Sequence, residues 1–417
     1  MTTEIVVAGG GYTGLWAART IARAVRAGAL AGVRVRLVSA APDHSFHGWT
    51  AEVITGHVRP EHARVPLTRL LPGVEIVHGT VAAVDTARRA VRVHAAGGDR
   101  ELRYDQLVVG VGSRDAATRV PGLADHGWSL KDPDGLAALR AHLAGLTGRH
   151  TVVVAGGGFT GVEAATALAQ RLPQARVLLA HPGAEALPML RPRYSRIADY
   201  AVRQARRSGV EFLPGTRLRR VTADGAELGA AGFVASGTVI STVGQTPVAL
   251  PGLDALARDD SGRLRTDRFL RVAPDVWAGG DVAAVPHPAG SQDCPANALW
   301  AIYHGKQIGA NVVRTLQGRA PKPFSFPGLG QGASLGVGRG ATELYGVQLT
   351  GWPAWLARWF FFHWFMPSRA VAVRTALEWV TGAGQSHQNV QNGEPAISSP
   401  YAASSAGSWS TLSGQNA

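Results

Sequence analysis

Nine residues occur twice in this chain with one substitution between the copies, VVAGGGYTG at 6–14 and VVAGGGFTG at 153–161. Glycine loses more conformational freedom on folding than any other residue. Three consecutive glycines kept at both places imply that the backbone itself has work to do there. Around the first copy, Glu4 to Ala8 reads as a buried parallel strand. Leu15 to Val25 has helical spacing and strong helix formers, and a second strand is predicted at Val33 to Val38. That is a βαβ unit with Gly9-x-Gly11-x-x-Gly14 at its first turn. Gly9 permits the tight turn, Gly11 admits a pyrophosphate to the backbone, and Gly14 lets helix and strand pack closely. The helix N-terminus then faces the phosphates. The second copy repeats the context, with a strand at Thr151 to Ala155, Gly156-x-Gly158-x-x-Gly161, a helix at Val162 to Gln170 and a strand at Arg176 to Ala180. One such fingerprint is a weak signal that a merely packing turn also satisfies. Two, each framed by strand and helix, predict two dinucleotide sites.

Composition narrows the class. A length of 417 residues allows two or three domains, and 46% hydrophobic content supplies a core. The single cysteine, Cys294, excludes an internal disulfide, a CxxC pair and a cysteine-rich metal site, and reads as a small packing residue. No metal is expected. The first residues lack a basic signal-peptide region, and no window of about 20 apolar residues is present, so a cytoplasmic chain is expected. The net charge of +13 comes from 42 basic residues, of which only three are lysines. They are scattered, without a basic run or aromatic platform in the first 300 residues, so nucleic acid is not an expected partner. Solvated faces and attraction to an anionic membrane remain as readings of the charge.

Further stretches say which dinucleotides these are. Tyr104 to Ser113 is a strand ending in the glycine turn at Gly112, and Thr238 to Pro247 is its counterpart with Gly244. Asp275 to Asp281 reads as a strand that ends in Gly-Asp and is followed by a helix. With these motifs the chain resembles the flavoprotein pyridine-nucleotide oxidoreductases with two dinucleotide-binding domains. The resemblance implies an α/β fold of two Rossmann-like domains followed by a C-terminal amphipathic helical segment. It also implies FAD on Gly9, Gly11, Tyr12, Thr13, Gly14, Ser39 and Gly112, with Asp281 on the ribityl chain. NADH or NADPH would lie on Gly156, Gly158, Phe159, Gly161, His181 and Gly244. The disulfide-reductase and sulfide:quinone branches need thiol pairs that the chain lacks. The loop Asp43 to Gly56 instead resembles type II NADH dehydrogenases through Phe46, Glu52 and Thr55-Gly56, as do Gly332 to Ala341 and Leu349 to Trp355.

That resemblance implies the domain plan: an FAD-binding domain at 1–115 and 245–320, an NAD(P)H-binding domain at 116–244, and a membrane-associating segment at 321–381. Glu163 and Glu52 become candidate catalytic carboxylates beside flavin and nicotinamide. Their bland readings are a carboxylate in a first helical turn and a surface salt bridge. The family's quinone helix carries two glutamines where this chain has Leu299 and Tyr303, so Ala298, Leu299, Tyr303 and His304 form an altered acceptor pocket, or simply helix packing. Both dinucleotide units lack the acid that usually ends the second strand. Ser39 stands in one and His181 in the other, and Asp43, Arg191 and Arg193 are near in sequence. His181 in place of an acid leaves NADPH open as donor beside NADH.

The C-terminal part speaks for itself. Gly351 to Met366 is GWPAWLARWFFFHWFM, broken only by Arg358 and His363, and five of the 11 tryptophans lie between Trp352 and Trp379. Sixteen residues are too few to span a bilayer, and tryptophan favours the headgroup layer. Residues 351–381 therefore read as an interfacial anchor, or as a buried pair closing the fold or a homodimer interface. Pro367-Ser368 is expected to cap a second helix, in which Val373, Leu377 and Val380 share a face while Arg374 and Glu378 pair. Residues 382–417, with Glu394 as their single charge, read as a disordered tail. The expected activity is electron transfer from NAD(P)H through FAD to a quinone at the inner face of the cell membrane. A soluble flavin reductase with another acceptor and a degenerate FAD-binding redox sensor are the alternatives.

Overall fold

The computed structural model describes residues 2–146 and 148–381. The tail expected at 382–417 lies outside the described residues. Two parallel sheets organise the chain. The first runs in the order Arg271–Ala273, Val276–Ala278, Gln106–Val109, Thr3–Ala8, Val33–Ser39, Glu75–His78, parallel except for its first pair. The second runs Val210–Leu213, Arg176–Ala180, Thr151–Ala155, Thr238–Ser241, parallel throughout. Their central strands, Ile5 to Ala8 and Val152 to Ala155, are fully buried apolar runs. Such unbroken runs are typical of strands covered on both faces. The chain passes between the sheets through an antiparallel pair, Ser113–Asp115 with Gln245–Pro247.

The first helix begins at Tyr12, three residues before its apolar pattern, and the stretch read as a loop at Asp43 to Gly56 contains a helix of its own. Helix α1 spans Tyr12–Arg26 and α2 spans Thr50–Thr55. Helix α3 spans Phe159–Arg171, three residues earlier than its apolar pattern suggested, because the extended Gly158 already serves as N-cap. Glu163 thus stands in the second turn, and its reading as a first-turn carboxylate fails. The Gly-Asp strand is followed by a 3-10 turn, Gly280–Val282, and the long helix α4 begins only at Ala298 and runs to Leu316. Helices α1 and α4 cross closely, because a Cβ on Gly305 or Gly309 would strike the backbone of Thr13 and the side chain of Thr20.

After a three-stranded antiparallel sheet (Gly330–Ser334, Gly340–Leu344, Val347–Gly351), the chain ends its described part in helices α5, Trp352–Phe365, and α6, Arg369–Thr381. Ser368 caps α6, its Oγ accepting from Val371 N at 3.4 Å. Arg374 and Glu378 do not pair. Glu378 turns inward to Arg59 Nε at 3.2 Å and His62 Nδ1 at 2.8 Å, while Arg374 faces solvent. No helix among the described residues is long and apolar enough to cross a membrane.

Candidate active site

The two glycine turns repeat down to individual hydrogen bonds. Gly9 N donates to Val38 O at 2.8 Å, and Gly156 N donates to Ala180 O at 2.8 Å. Gly110 N donates to Ala8 O at 2.8 Å, as Thr242 N does to Ala155 O at 2.7 Å. Gly9 and Gly156 have φ of 106° and 122°, values that an L side chain rarely adopts. A Cβ on Gly14 would overlap Gly9 O, and one on Gly161 would overlap Gly156 O. The middle glycines abut Ser39 and His181, so these two residues occupy one structural position in the two units. Both are buried.

At the third structural element of each turn the space opens. Gly11 and Gly158 cap α1 and α3 in extended conformation, and neither helix has a side chain on its first N–H groups. A Cβ on Gly11 would meet nothing nearer than 4.0 Å, and one on Gly158 only Met189 Cε at 3.5 Å. A helix N-terminus with free donors and room before it fits a pyrophosphate. Around the first turn, Tyr12 OH accepts from His47 N at 3.0 Å, and its ring packs edge-on to His44. His44 Nδ1 lies 3.1 Å from Gly10 O. Burial pulls both His44 and His47 down to about 4, so both rings are neutral at pH 7. Thr13 is directed away from this space, donating to Ala301 O across the helix crossing at 3.3 Å.

Asp281 Oδ2 accepts from Ser113 Oγ at 2.8 Å and from Lys131 Nζ at 2.9 Å, and Lys131 also donates to Gln245 Oε1 at 2.9 Å. The lysine thus ties the Gly-Asp turn to both crossing strands. It belongs to no motif, and sequence reasoning missed it. Gly112 and Gly244 sit at the heads of the two counterpart strands with φ of 72° and 102°. His304, read as an acceptor-pocket residue, turns under this structure instead. Its Nδ1 accepts from Gly280 N at 3.1 Å, and burial lowers its pKa to about 3. Ala298, Leu299 and Tyr303 are half-buried on α4. Tyr303 stacks on Phe326 at 3.7 Å and carries Lys306 Nζ 4.5 Å over its ring. These residues border an open cleft of about 290 Å³ together with Gln307, Phe324 and Ser325. Cys294 is buried, and burial raises its thiol to about 12, which leaves it unreactive.

Where α2, α3 and α5 meet lies a group whose central cation the sequence did not disclose. Arg358, an interruption in the aromatic run, is buried and reaches Glu52 Oε1 at 2.8 Å and Glu163 Oε1 at 3.1 Å. Its second terminal nitrogen also donates to Gly48 O at 3.0 Å, and its guanidinium lies 4.3 Å from the centre of the Phe362 ring. Glu52 is 3% exposed, which overturns the surface-salt-bridge reading. Glu163 Oε1 accepts from Ser334 N at 2.6 Å. Burial raises its pKa to about 7, against the pull of Arg358. The resemblance implies that the two carboxylates lie near one another; Arg358 has no sequence sign beyond a charge inside an otherwise apolar run.

Beside the second turn, His181 is 3% exposed and held below its usual pKa by burial. Arg191 already pairs with Glu185 at 3.2 Å and Asp199 at 2.6 Å, so it is not an unengaged charge. Arg193 is exposed and lies 5.2 Å over the Tyr194 ring.

The sequence profile of the pyridine nucleotide-disulphide oxidoreductases matches residues 3–305. An NADH dehydrogenase-like protein of Mycobacterium tuberculosis is 32% identical over 342 residues, covering 75% of this chain and 81% of its own length. A demethylphylloquinone reductase of Synechocystis is 27% identical over 391 residues, covering 91% and 96%. The structure of NDH2 from Plasmodium falciparum in complex with NADH superposes with a TM-score of 0.78 at 14% identity, covering 95% of this chain and all of that one.

Proposed function

The chain belongs to the pyridine nucleotide-disulphide oxidoreductase family, and from that premise we propose that it is an FAD-dependent NAD(P)H dehydrogenase reducing a quinone at a membrane surface. The observation that carries the reading is the pair of matching glycine turns on separate parallel sheets, beside which Arg358 links Glu52 of α2 to Glu163 of α3. The resident group fits: the first turn offers an uncapped helix N-terminus with open space before Gly11. A bound flavin would supply the two-electron chemistry between nicotinamide and acceptor.

The chain's own residues bind and orient. In this reading residues 1–115 and 245–320 hold FAD, the first N–H groups of α1 holding its pyrophosphate and Asp281 its ribityl hydroxyls, with Lys131 and Ser113 fixing the aspartate. Residues 116–244 hold the nicotinamide donor on the second turn. Ser39 and His181 meet the two adenosine riboses. No carboxylate ends the second strand of the donor unit, so the 2′-phosphate of NADPH meets no repulsion from that position. Glu163 stores and releases a proton near neutrality beside the reacting centre, and Arg358 keeps the charge of Glu52 balanced there. Within the cluster Glu52 and Arg358 are buried, at 3% and 7% exposure. The acceptor enters by the cleft of Tyr303 and Phe326, and residues 321–381 bring that cleft to lipid on the inner face of the cell membrane. The stripe Trp352, Leu356, Phe360, Trp364, at 59%, 51%, 62% and 57% exposure, supports this placement.

A second reading, a flavin reductase with a non-quinone acceptor, draws on Leu299 and Tyr303 at the altered helix. Anaerobic mixing of the purified flavoprotein with NADH and NADPH in turn separates the readings. Rapid bleaching of the flavin by either donor and its return on adding a quinone are expected. Bleaching without return by quinone would favour the second reading, and no bleaching by either donor would remove both.

The raised pKa of Glu163 has a thermodynamic sign. The unfolded carboxyl ionises near 4.5 and the folded one near 7, so the native state binds the extra proton between those values. Its contribution to stability is complete below about pH 4.5 and is lost as pH rises to about 7. Thermal unfolding followed across that window should show this inflection in the wild type and not in Glu163→Gln.

A further inference from the structure

The positive charge of the chain is unevenly placed. From residue 294 to 381 there are eight basic side chains and two carboxylates, and both carboxylates, Glu343 and Glu378, are buried. Between Glu4 and Asp43 there are five arginines and no acid. Arg34 and Arg36 pair with Glu4. Arg19, Arg23 and Arg26 lie three and four residues apart on α1, which puts them on one helix face.

The fold brings that face to the C-terminal end of α5. Arg19 donates to Pro367 O at 3.1 Å, and Arg369 lies 4.8 Å over the Trp364 ring. Lys306 of α4 lies 4.8 Å over Trp16 and 5.7 Å from the Phe365 ring. The five cations press on one another. Burial, then Arg23, Arg369 and Arg26, depress the pKa of Arg19, and burial, Arg19 and Arg23 depress that of Lys306. Among the described residues no carboxylate pairs with any of the five. Arg23, Arg26 and Arg369 face solvent.

A cationic cluster without counter-ions therefore adjoins an exposed aromatic and aliphatic stripe. We propose that this face selects an anionic bilayer, Arg19, Arg23, Arg26, Lys306 and Arg369 meeting acidic headgroups while Trp352, Leu356, Phe360 and Trp364 enter the interface. The inference rests on the membrane reading above and adds lipid charge as the selected property. A neutral bilayer receives only the apolar stripe, whereas an anionic one gains up to about fivefold in partition for each basic residue near its surface.

The test is flotation of the full flavin-loaded chain with vesicles of phosphatidylcholine alone or mixed with phosphatidylglycerol. Binding to the mixed vesicles is expected to be stronger by about tenfold or more, and to fall as salt shortens the Debye length below about 10 Å. Arg23→Gln with Arg26→Gln, both exposed and remote from the catalytic cluster, should lower that preference by up to about fivefold for each arginine removed and leave dye reduction unchanged. Phe360→Ser with Trp364→Ser should weaken binding to both vesicles. Equal binding to both vesicles, or a preference that the double glutamine variant does not lower, overturns the proposal and leaves the membrane reading standing. Binding to neither overturns both.

Discussion

Replacing Arg358 with methionine is expected to destabilise the protein by about 3–5 kcal/mol, the usual result of removing one partner from a buried ionic cluster. Methionine retains much of the apolar contact with Phe362 and Trp49, so the loss isolates the charge. Glu52 and Glu163 would then lie together in the interior without a cation, leaving uncompensated charge buried. Urea titration at pH 7 measures the loss. The companion variant, Glu52→Gln and Glu163→Gln together with Arg358→Met, should recover most of it, because no uncompensated charge is left to bury. A loss below about 1 kcal/mol for the single variant, the size of an exposed pair, would mean that the cluster is solvated in solution.

The second large effect concerns the repeated turn. Gly156→Val forces a β-branched residue into φ of 122° and drives its Cβ into Thr242. The strand and α3 must then part, which displaces the donor by an ångström or more. Misplacement on that scale costs about 10²-fold in rate, so NAD(P)H-driven bleaching should slow by at least that factor while flavin stays bound. Gly9→Val makes the same collision in the other unit, its Cβ meeting Gly110 O at 2.5 Å, and should yield protein without flavin. Stopped-flow absorbance and the flavin-to-protein ratio separate the two outcomes. Loss of flavin in both variants would show that the turns do not serve separate nucleotides.

What was readable in the chain is what depends on short range. Both βαβ units, the Gly-Asp turn and the two C-terminal helices follow from local periodicity and glycine placement, and the structure has them. The misses are long-range. Arg358 meets partners 306 and 195 positions away, and nothing local distinguishes it from a charge interrupting an interfacial helix. Lys131 sits in a loop without a motif and acquires its place only when the crossing strands pair. His304 differs from Tyr303 by a single 100° step of helix rotation. That step decides between the cleft and the buried Gly279–Gly280 turn, and only the packing of α1 against α4 sets it. Glu163 was found by resemblance, yet its depth depends on where α3 begins, a boundary that apolar spacing places poorly beside glycine.

Helix α5 shows one face to solvent and delivers Arg358 from the other. It is therefore no detachable tether. A truncation designed to make the protein soluble by removing residues 351–381 would also withdraw the counter-ion from between two buried carboxylates. Inactivity of such a shortened chain would say nothing about whether lipid is needed for turnover. Surface substitutions on the outer stripe separate the two roles, because they leave the inward face of the same helix untouched.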